Sequence, residues 1–224
     1  LGHDEEYWPE YQGFDVNIGG GRWPGPPSYF DPYRISKLPD ESEGEYLTDR
    51  LSREALKFVE EYHGEPFFLC YWHYGVHAPF QSKEELRQDF LGKKDPRAAQ
   101  DCAIMAGMIK SVDKSIGQLL DKLDELGKAD DTLVCFTSDH GDFWGQHGLV
   151  AKAIHHYEDL IWVPLLVRLP GTILVGVSSD SRQSTVDLPQ TFLSMCGLPV
   201  PRTMTGVDES PVWRGEVDTL RTHA

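Results

Sequence analysis

The chain is short of positive charge: 21 lysines and arginines stand against 36 aspartates and glutamates, a formal net charge of −15 over 224 residues. That balance argues against nucleic acid and against anionic membrane surfaces as partners. No apolar run approaches the roughly 18 residues of a membrane span, so the reading contains no membrane partner. A leader pattern is also lacking, but the first residue is Leu1 rather than Met, so this lack excludes nothing. The four cysteines (Cys70, Cys102, Cys135, Cys196) form no CxxC pair. Cys70 and Cys135 lie in strand-like runs and Cys102 and Cys196 in helix-like segments, which favours buried free thiols over disulfides or a zinc site. The redox compartment stays open. Gly19-Gly20-Gly21 lacks the GxxxxGK[ST] pattern of a phosphate loop and reads as a turn.

What is present excludes disorder: 40% hydrophobic and 11% aromatic residues are enough for a sizeable core. The length suits one large α/β domain or part of one. Residues 1–45 are rich in Gly, Pro and aromatics and show no period; a loop region this long usually lines an active site. From Thr48, Leu51, Ala55, Phe58, Val59 and Tyr62 recur at helical spacing, with Thr48 as N-cap and Gly64 as stop. The run 66–72 (PFFLCYW) reads as a buried strand. Met105, Met108, Ile109, Val112, Ile116, Leu119, Leu120, Leu123 and Leu126 form one apolar stripe, predicting a helix over 101–127 closed by Gly127. Strands follow at 132–138 and 163–169, then a short helix over 187–196 stopped by Gly197. This helix–strand alternation predicts an α/β fold, a mostly parallel sheet flanked by helices. No internal repeat and no domain-dividing linker is visible. The organisation read here is an irregular, site-lining 1–45, an α/β core over 46–200 and a tail over 201–224.

The most informative segment is TLVCFTSDHGDFWGQHGLVAK, Thr132 to Lys152. Its strand stops abruptly at Ser138-Asp139-His140-Gly141, and ligands of open α/β sheets sit just beyond strand carboxyl ends. Asp139 and His140 are therefore candidate metal ligands, with Gly141 allowing a sharp turn. A carboxylate alone favours calcium or magnesium, and the imidazole widens the choice. Lys152 follows twelve residues after His140, either snorkelling at the surface or aimed as a point charge into the cleft. His77, in YGVHAPF, comes directly after the 66–72 run. If that strand shares the sheet, His77 opens onto the same edge as Asp139, where it can donate to a substrate oxygen or protonate a leaving group. His63 and His73 read as loop histidines without a role. His147, His155 and His156 read as structural.

The strings TSDHGDFWGQHGLVAK and HYEDLIWVPLLVRLPG resemble the sulfatase signature of the alkaline-phosphatase-like superfamily. The resemblance continues in EYLTDRLSREALKFVEEYHGEPFFLCYWHYGVHAPFQ, similar to the family's H-x-P segment. It also covers IKSVDKSIGQLLDKLDELGKADDTLVCFTSD and STVDLPQTFLSMCGLPVP, and Leu1-Gly2 resembles the end of a K-W-H-L-G motif. The motifs stand in family order over nearly the whole chain. The resemblance implies a metal-dependent sulfuric ester hydrolase acting on a small-molecule or saccharide sulfate ester, in a periplasmic or secreted setting. It implies that Asp139 and His140 bind the divalent cation, usually calcium, with manganese, magnesium and zinc as further options. Lys152 would contact the sulfate and the bridging oxygen, and His77 the sulfate and the leaving alcohol. A phosphonate monoester or phosphodiester hydrolase of the same superfamily is the alternative, and a non-catalytic truncated domain a second one.

The chain departs from the family pattern at several points. No cysteine or serine stands in C/S-x-P-x-R, the motif whose first residue becomes the formylglycine nucleophile. That motif, a pair of metal-binding aspartates and the lysine and histidine of K-W-H-L-G are expected upstream. The chain thus reads as the C-terminal part of a catalytic domain, inactive by itself. Trp162 stands where arginine is common, which would alter local packing or anion recognition. Hard divalent cations want roughly six or more donors; with two from the protein, calcium binding by this chain alone is expected to be weak.

Overall fold

A computed structural model describes residues 4–21, 25–94, 102–152 and 154–221. The chain forms two compact units, Leu1–Lys128 and Ala129–Ala224. In the first unit, α1 (Leu47–Tyr62) and α3 (Ala103–Glu125) pack against each other, and the short α2 (Glu84–Gln88) packs on α3. Helix α1 buries Leu47, Leu51, Ala55 and Val59, one residue per turn, so burial of this stripe drives its formation. The expected cap is displaced. Tyr46 occupies the N-cap position without a side-chain capping bond, and Thr48 is buried inside the first turn. The Leu47 N–H donates to the Tyr29 carbonyl at 2.8 Å, so a tertiary contact satisfies a donor that a cap would otherwise serve. Between the helices, Ser52 Oγ donates to Gln118 Oε1 at 2.8 Å.

The region read as irregular contributes three residues to this unit's main core cluster. Tyr29, Tyr33 and Leu38 are buried with Tyr46, Leu47, Leu51 and Met108 in one cluster. Residues 19–21 make the expected turn: Gly19 lies at φ +76 and the Gly20 N–H donates to Asn17 Oδ1. The 66–72 run is not a strand. It is extended without a ladder partner among the described residues, with Phe68 and Trp72 turned outward and Tyr71 bonded through its hydroxyl to Ser115 of α3. A continuous apolar run suggested burial on both faces, whereas Pro66, Phe68 and Trp72 are exposed here and Phe67 and Tyr71 touch the helices.

The second unit holds β1 (Val134–Thr137) and β2 (Leu165–Arg168), paired antiparallel with Val134 opposite Arg168 and Thr137 opposite Leu165. This corrects the parallel arrangement expected of these two strands. Parallel neighbours are usually joined by a crossover helix, and the one α-helix described in this connection is the four-residue α4 (Glu158–Ile161). Phe136 and Leu166 face each other across the pair and are both exposed. A capping box formed by Ser184 and Asp187 leads into α5 (Leu188–Met195), and Gly197 lies at φ +67 just after that helix. In the expected tail, α6 (Ser210–Trp213) buries Val212 and Trp213, and Trp213 lies 6.0 Å from Phe192 of α5. All four cysteines are free. Burial pushes the Cys135 thiol up to about 11, so it is an inert packing group, while Cys196 is exposed rather than buried. No described helix is long and apolar enough to cross a membrane.

Candidate functional site

Strand β1 delivers Ser138, Asp139 and His140 at its carboxyl end, and one close approach fixes their backbone. The Gly141 N–H donates to the Leu160 carbonyl at 2.9 Å. A Cβ on Gly141 would lie 1.8 Å from the Asp159 carbonyl oxygen, so glycine is required here for contact with α4 rather than for an unusual turn. His140 Nδ1 donates to the Gly141 carbonyl at 2.6 Å, which leaves the lone pair on Nε2. Asp139 Oδ2 is 3.4 Å from that Nε2, and Asp139 Oδ1 accepts from the His140 N–H at 3.0 Å.

A carboxylate oxygen and an imidazole lone pair side by side, with the second ring nitrogen tied to a carbonyl, is a donor set suited to a divalent cation. The pair supplies two donors. Among the described residues no group of three or more His, Cys, Asp and Glu side chains is placed to hold a metal.

Lys152 joins this pair. Its Nζ lies 2.8 Å from His140 Nε2 and donates to the lone pair. A short compact loop brings it there: the Phe143 N–H donates to the Ala151 carbonyl, and the Gly145 N–H to the Leu149 carbonyl. Phe143 is fully buried, and the loop is braced by His147, whose Nε2 is 3.1 Å from Asp159 Oδ2 and whose ring stacks on Tyr157 at 4.5 Å. His147 holds a left-handed backbone, φ +55, which its contacts over-determine. The sequence placed His147 in an ordering role but gave no sign of Asp159 as its partner. Trp162 is exposed.

His77 lies in the first unit, on a loop fixed by tyrosines. The hydroxyl of the fully buried Tyr29 bonds to the Tyr74 carbonyl and, at 2.8 Å, to the His77 carbonyl. Burial raises the Tyr29 phenol well above its ordinary value, so it stays a neutral donor. The Tyr29 N–H donates to Gln81 Oε1 at 2.7 Å, and Tyr46 donates to the Gln81 carbonyl at 2.8 Å. His77 Nδ1 donates to the Ala78 carbonyl at 2.9 Å, directing the second nitrogen away from the backbone. Sequence reasoning missed this tyrosine clamp, because Tyr29 sits in a stretch without periodicity.

His73, read as a histidine without a role, has both ring nitrogens buried and without a hydrogen-bond partner. Burial holds its pKa down to about 4, against an ordinary 6.5. The unfolded chain therefore takes up the proton first. The stabilisation is complete above pH 6.5 and is lost as pH falls towards 4, a change on the order of 3 kcal/mol. Urea midpoints measured at pH 7 and pH 4.5 should fall further in the wild type than in His73→Gln; equal falls would show that this ring is solvated.

Residues 4–198 match the family model described as Sulfatase. The chain is 37% identical to the N-acetylglucosamine-6-O-sulfatase of Bacteroides thetaiotaomicron over 50% of this chain and 20% of that protein. It is 34% identical to the steryl-sulfatase of Homo sapiens over 76% of this chain and 30% of that protein. The crystal structure of Ps i-CgsB superposes with a TM-score of 0.76 at 27% identity, covering 95% of this chain and 52% of that one. The chain thus spans a third or less of these two curated relatives and about half of that solved neighbour. With a family match over most of its length and the Asp139–His140–Lys152 cluster at the end of β1, this chain belongs to the sulfatase family.

Proposed function

We propose that the protein hydrolyses sulfate esters of saccharides in a metal-dependent reaction. The observation that carries this reading is Lys152 Nζ, 2.8 Å from His140 Nε2, beside the carboxylate of Asp139. A compact cation next to a cation-binding pair suits an oxyanion on which charge builds as the ester bond breaks. Asp139 and His140 would hold a divalent metal, calcium by family habit, with manganese, magnesium or zinc as alternatives. When bound, the metal supplies Lewis-acid polarisation of the sulfate. Lys152 then binds a sulfate oxygen and neutralises the bridging oxygen. His77, with Nδ1 tied to Ala78, uses Nε2 to bind the sulfate and deliver a proton to the departing alcohol. No C/S-x-P-x-R motif occurs in the 224 residues, so no nucleophile is assigned to them. Metal binding of the complete site and a larger, mostly parallel sheet around β1 belong to this same reading.

The substrate class is supported by the company this chain keeps. Ps i-CgsB has also been solved in complex with k-i-k-neocarrahexaose, and several relatives are named as amino-sugar sulfatases. Testing requires full-length protein co-expressed with its maturase, assayed on sugar and aryl sulfates, phosphodiesters and phosphonate monoesters. Sulfate release that is lost in His77→Ala and restored by adding a divalent cation to chelator-treated enzyme is the expected result. Phosphodiester cleavage without sulfate release would overturn it in favour of the other hydrolase branch.

A further inference from the structure

In the first unit, a cavity of about 400 Å³ is bordered by Trp8, Arg34 and Tyr74, with Asp4 and Glu5 at its side. It shares a wall with the His77 loop. Gly25 lines the cavity, and a Cβ there would lie 2.5 Å from His77 Nδ1 and 2.7 Å from the Ala78 carbonyl oxygen. Tyr74 lines it too, and its carbonyl and that of His77 share the Tyr29 hydroxyl. Movement of the cavity wall would therefore move His77.

The lining is held in place before any ligand arrives. Lys37 Nζ lies 4.9 Å from the centroid of the Trp8 ring, and the Tyr74 hydroxyl donates to the Gly19 carbonyl at 2.7 Å. Arg34 stands out. Its backbone is left-handed, φ +58, its side chain is exposed, and it makes no ion pair among the described residues. A strained residue that presents an unpaired guanidinium to a cavity is a mark of a binding site. Two rigid aromatic side chains beside a planar cation, with carboxylates nearby to accept hydroxyls, suit an anionic sugar.

We propose that this cavity is a subsite for the sugar unit next to the scissile ester, and that Arg34 recognises a second anionic substituent on it, a sulfate or a carboxylate. The proposal deepens the saccharide sulfatase reading and rests on His77 belonging to that site. Trp8 and Tyr74 form the walls, and Arg34 sets specificity by charge.

The test uses full-length matured protein with four probes: a neocarrahexaose, a chondroitin disaccharide bearing two sulfates, its counterpart bearing one, and 4-nitrophenyl sulfate. Arg34→Gly is the variant of choice because glycine accepts φ +58 without strain, so lost binding cannot be assigned to misfolding. The expected result is at least a tenfold loss in preference for the best saccharide over 4-nitrophenyl sulfate, read as a ratio of kcat/KM. Calorimetry on the same saccharide should show Kd raised at least tenfold. Sulfate release with an unchanged preference in Arg34→Gly overturns the subsite and leaves the sulfatase reading standing. Saccharide binding that is lost in Arg34→Gly, with no sulfate released from any probe by the wild type, supports the subsite and overturns the hydrolytic reading. No binding of any saccharide by the wild type overturns the subsite.

Discussion

Lys152→Ala in the matured full-length enzyme is expected to lower kcat/KM for sulfate esters by about 10²–10³-fold, equivalent to roughly 2.7–4 kcal/mol of transition-state stabilisation. The side chain is exposed, its Nζ is 2.8 Å from His140 Nε2, and it anchors no buried network. Its removal should therefore leave the thermal unfolding midpoint nearly unchanged, which separates lost chemistry from lost fold. Charge at this point matters most when the ester oxygen departs, so the loss should fall mainly on kcat rather than KM. Arginine should rescue poorly, because its planar fork spreads the charge and cannot replace a compact point charge against one sulfate oxygen. Small alkylammonium ions should restore part of the rate, since the truncation opens a solvent-facing space for them. A change of less than fivefold in kcat/KM would remove Lys152 from the oxyanion-binding role.

The proximity of Asp139, His140 and Lys152 was legible in the sequence because it is local. Asp139 and His140 follow directly on a strand, and Lys152 returns to His140 within twelve residues, so an abrupt strand end sufficed to find all three. The long amphipathic α3 was legible for the same reason, since its stripe repeats over six turns. What failed was everything decided by distant partners. The N-terminal core tyrosines carry no period; Tyr29 can be buried because Tyr74, His77 and Gln81 accept the hydrogen bonds it donates. The 66–72 run has strand composition, but its neighbours determine whether a ladder forms. Gly141 was read as a turn residue, whereas the Asp159 carbonyl is what excludes a side chain there. Antiparallel pairing of β1 and β2 likewise depends on how short α4 is, which residue types alone do not reveal.

A large loss of stability is expected from Asp187→Ala, far from the candidate chemistry. Asp187 is fully buried at the start of α5. Its Oδ2 accepts from the Ser184 N–H at 2.8 Å, its Oδ1 accepts from the Val207 N–H at 2.7 Å, and it forms an ion pair with Arg221. Three segments of the second unit thus meet on one carboxylate. Alanine would leave two backbone donors unmatched, each costing about 1–3 kcal/mol. It would also strand a half-buried guanidinium, and breaking a buried ion pair costs about 3–5 kcal/mol. One contact softens the loss. The nearby carboxylate of Glu209, fully buried and without a hydrogen bond, lies 3.9 Å from Arg221 Nε and can take over part of the pairing. Burial first and the adjacent Asp187 second raise the pKa of Glu209, so removing Asp187 also relieves a repulsion. These gains offset part of the ion-pair cost but satisfy neither backbone donor. The net loss should be about 3 kcal/mol, a fall of roughly 6–12 °C in the melting midpoint for a chain of this size. Asp187→Asn keeps an acceptor for one backbone donor and should lose about half as much. Thermal melts of the two variants against the wild type decide the matter: if Asp187→Ala melts within about 2 °C of the wild type, this carboxylate does not hold the C-terminal segment on α5.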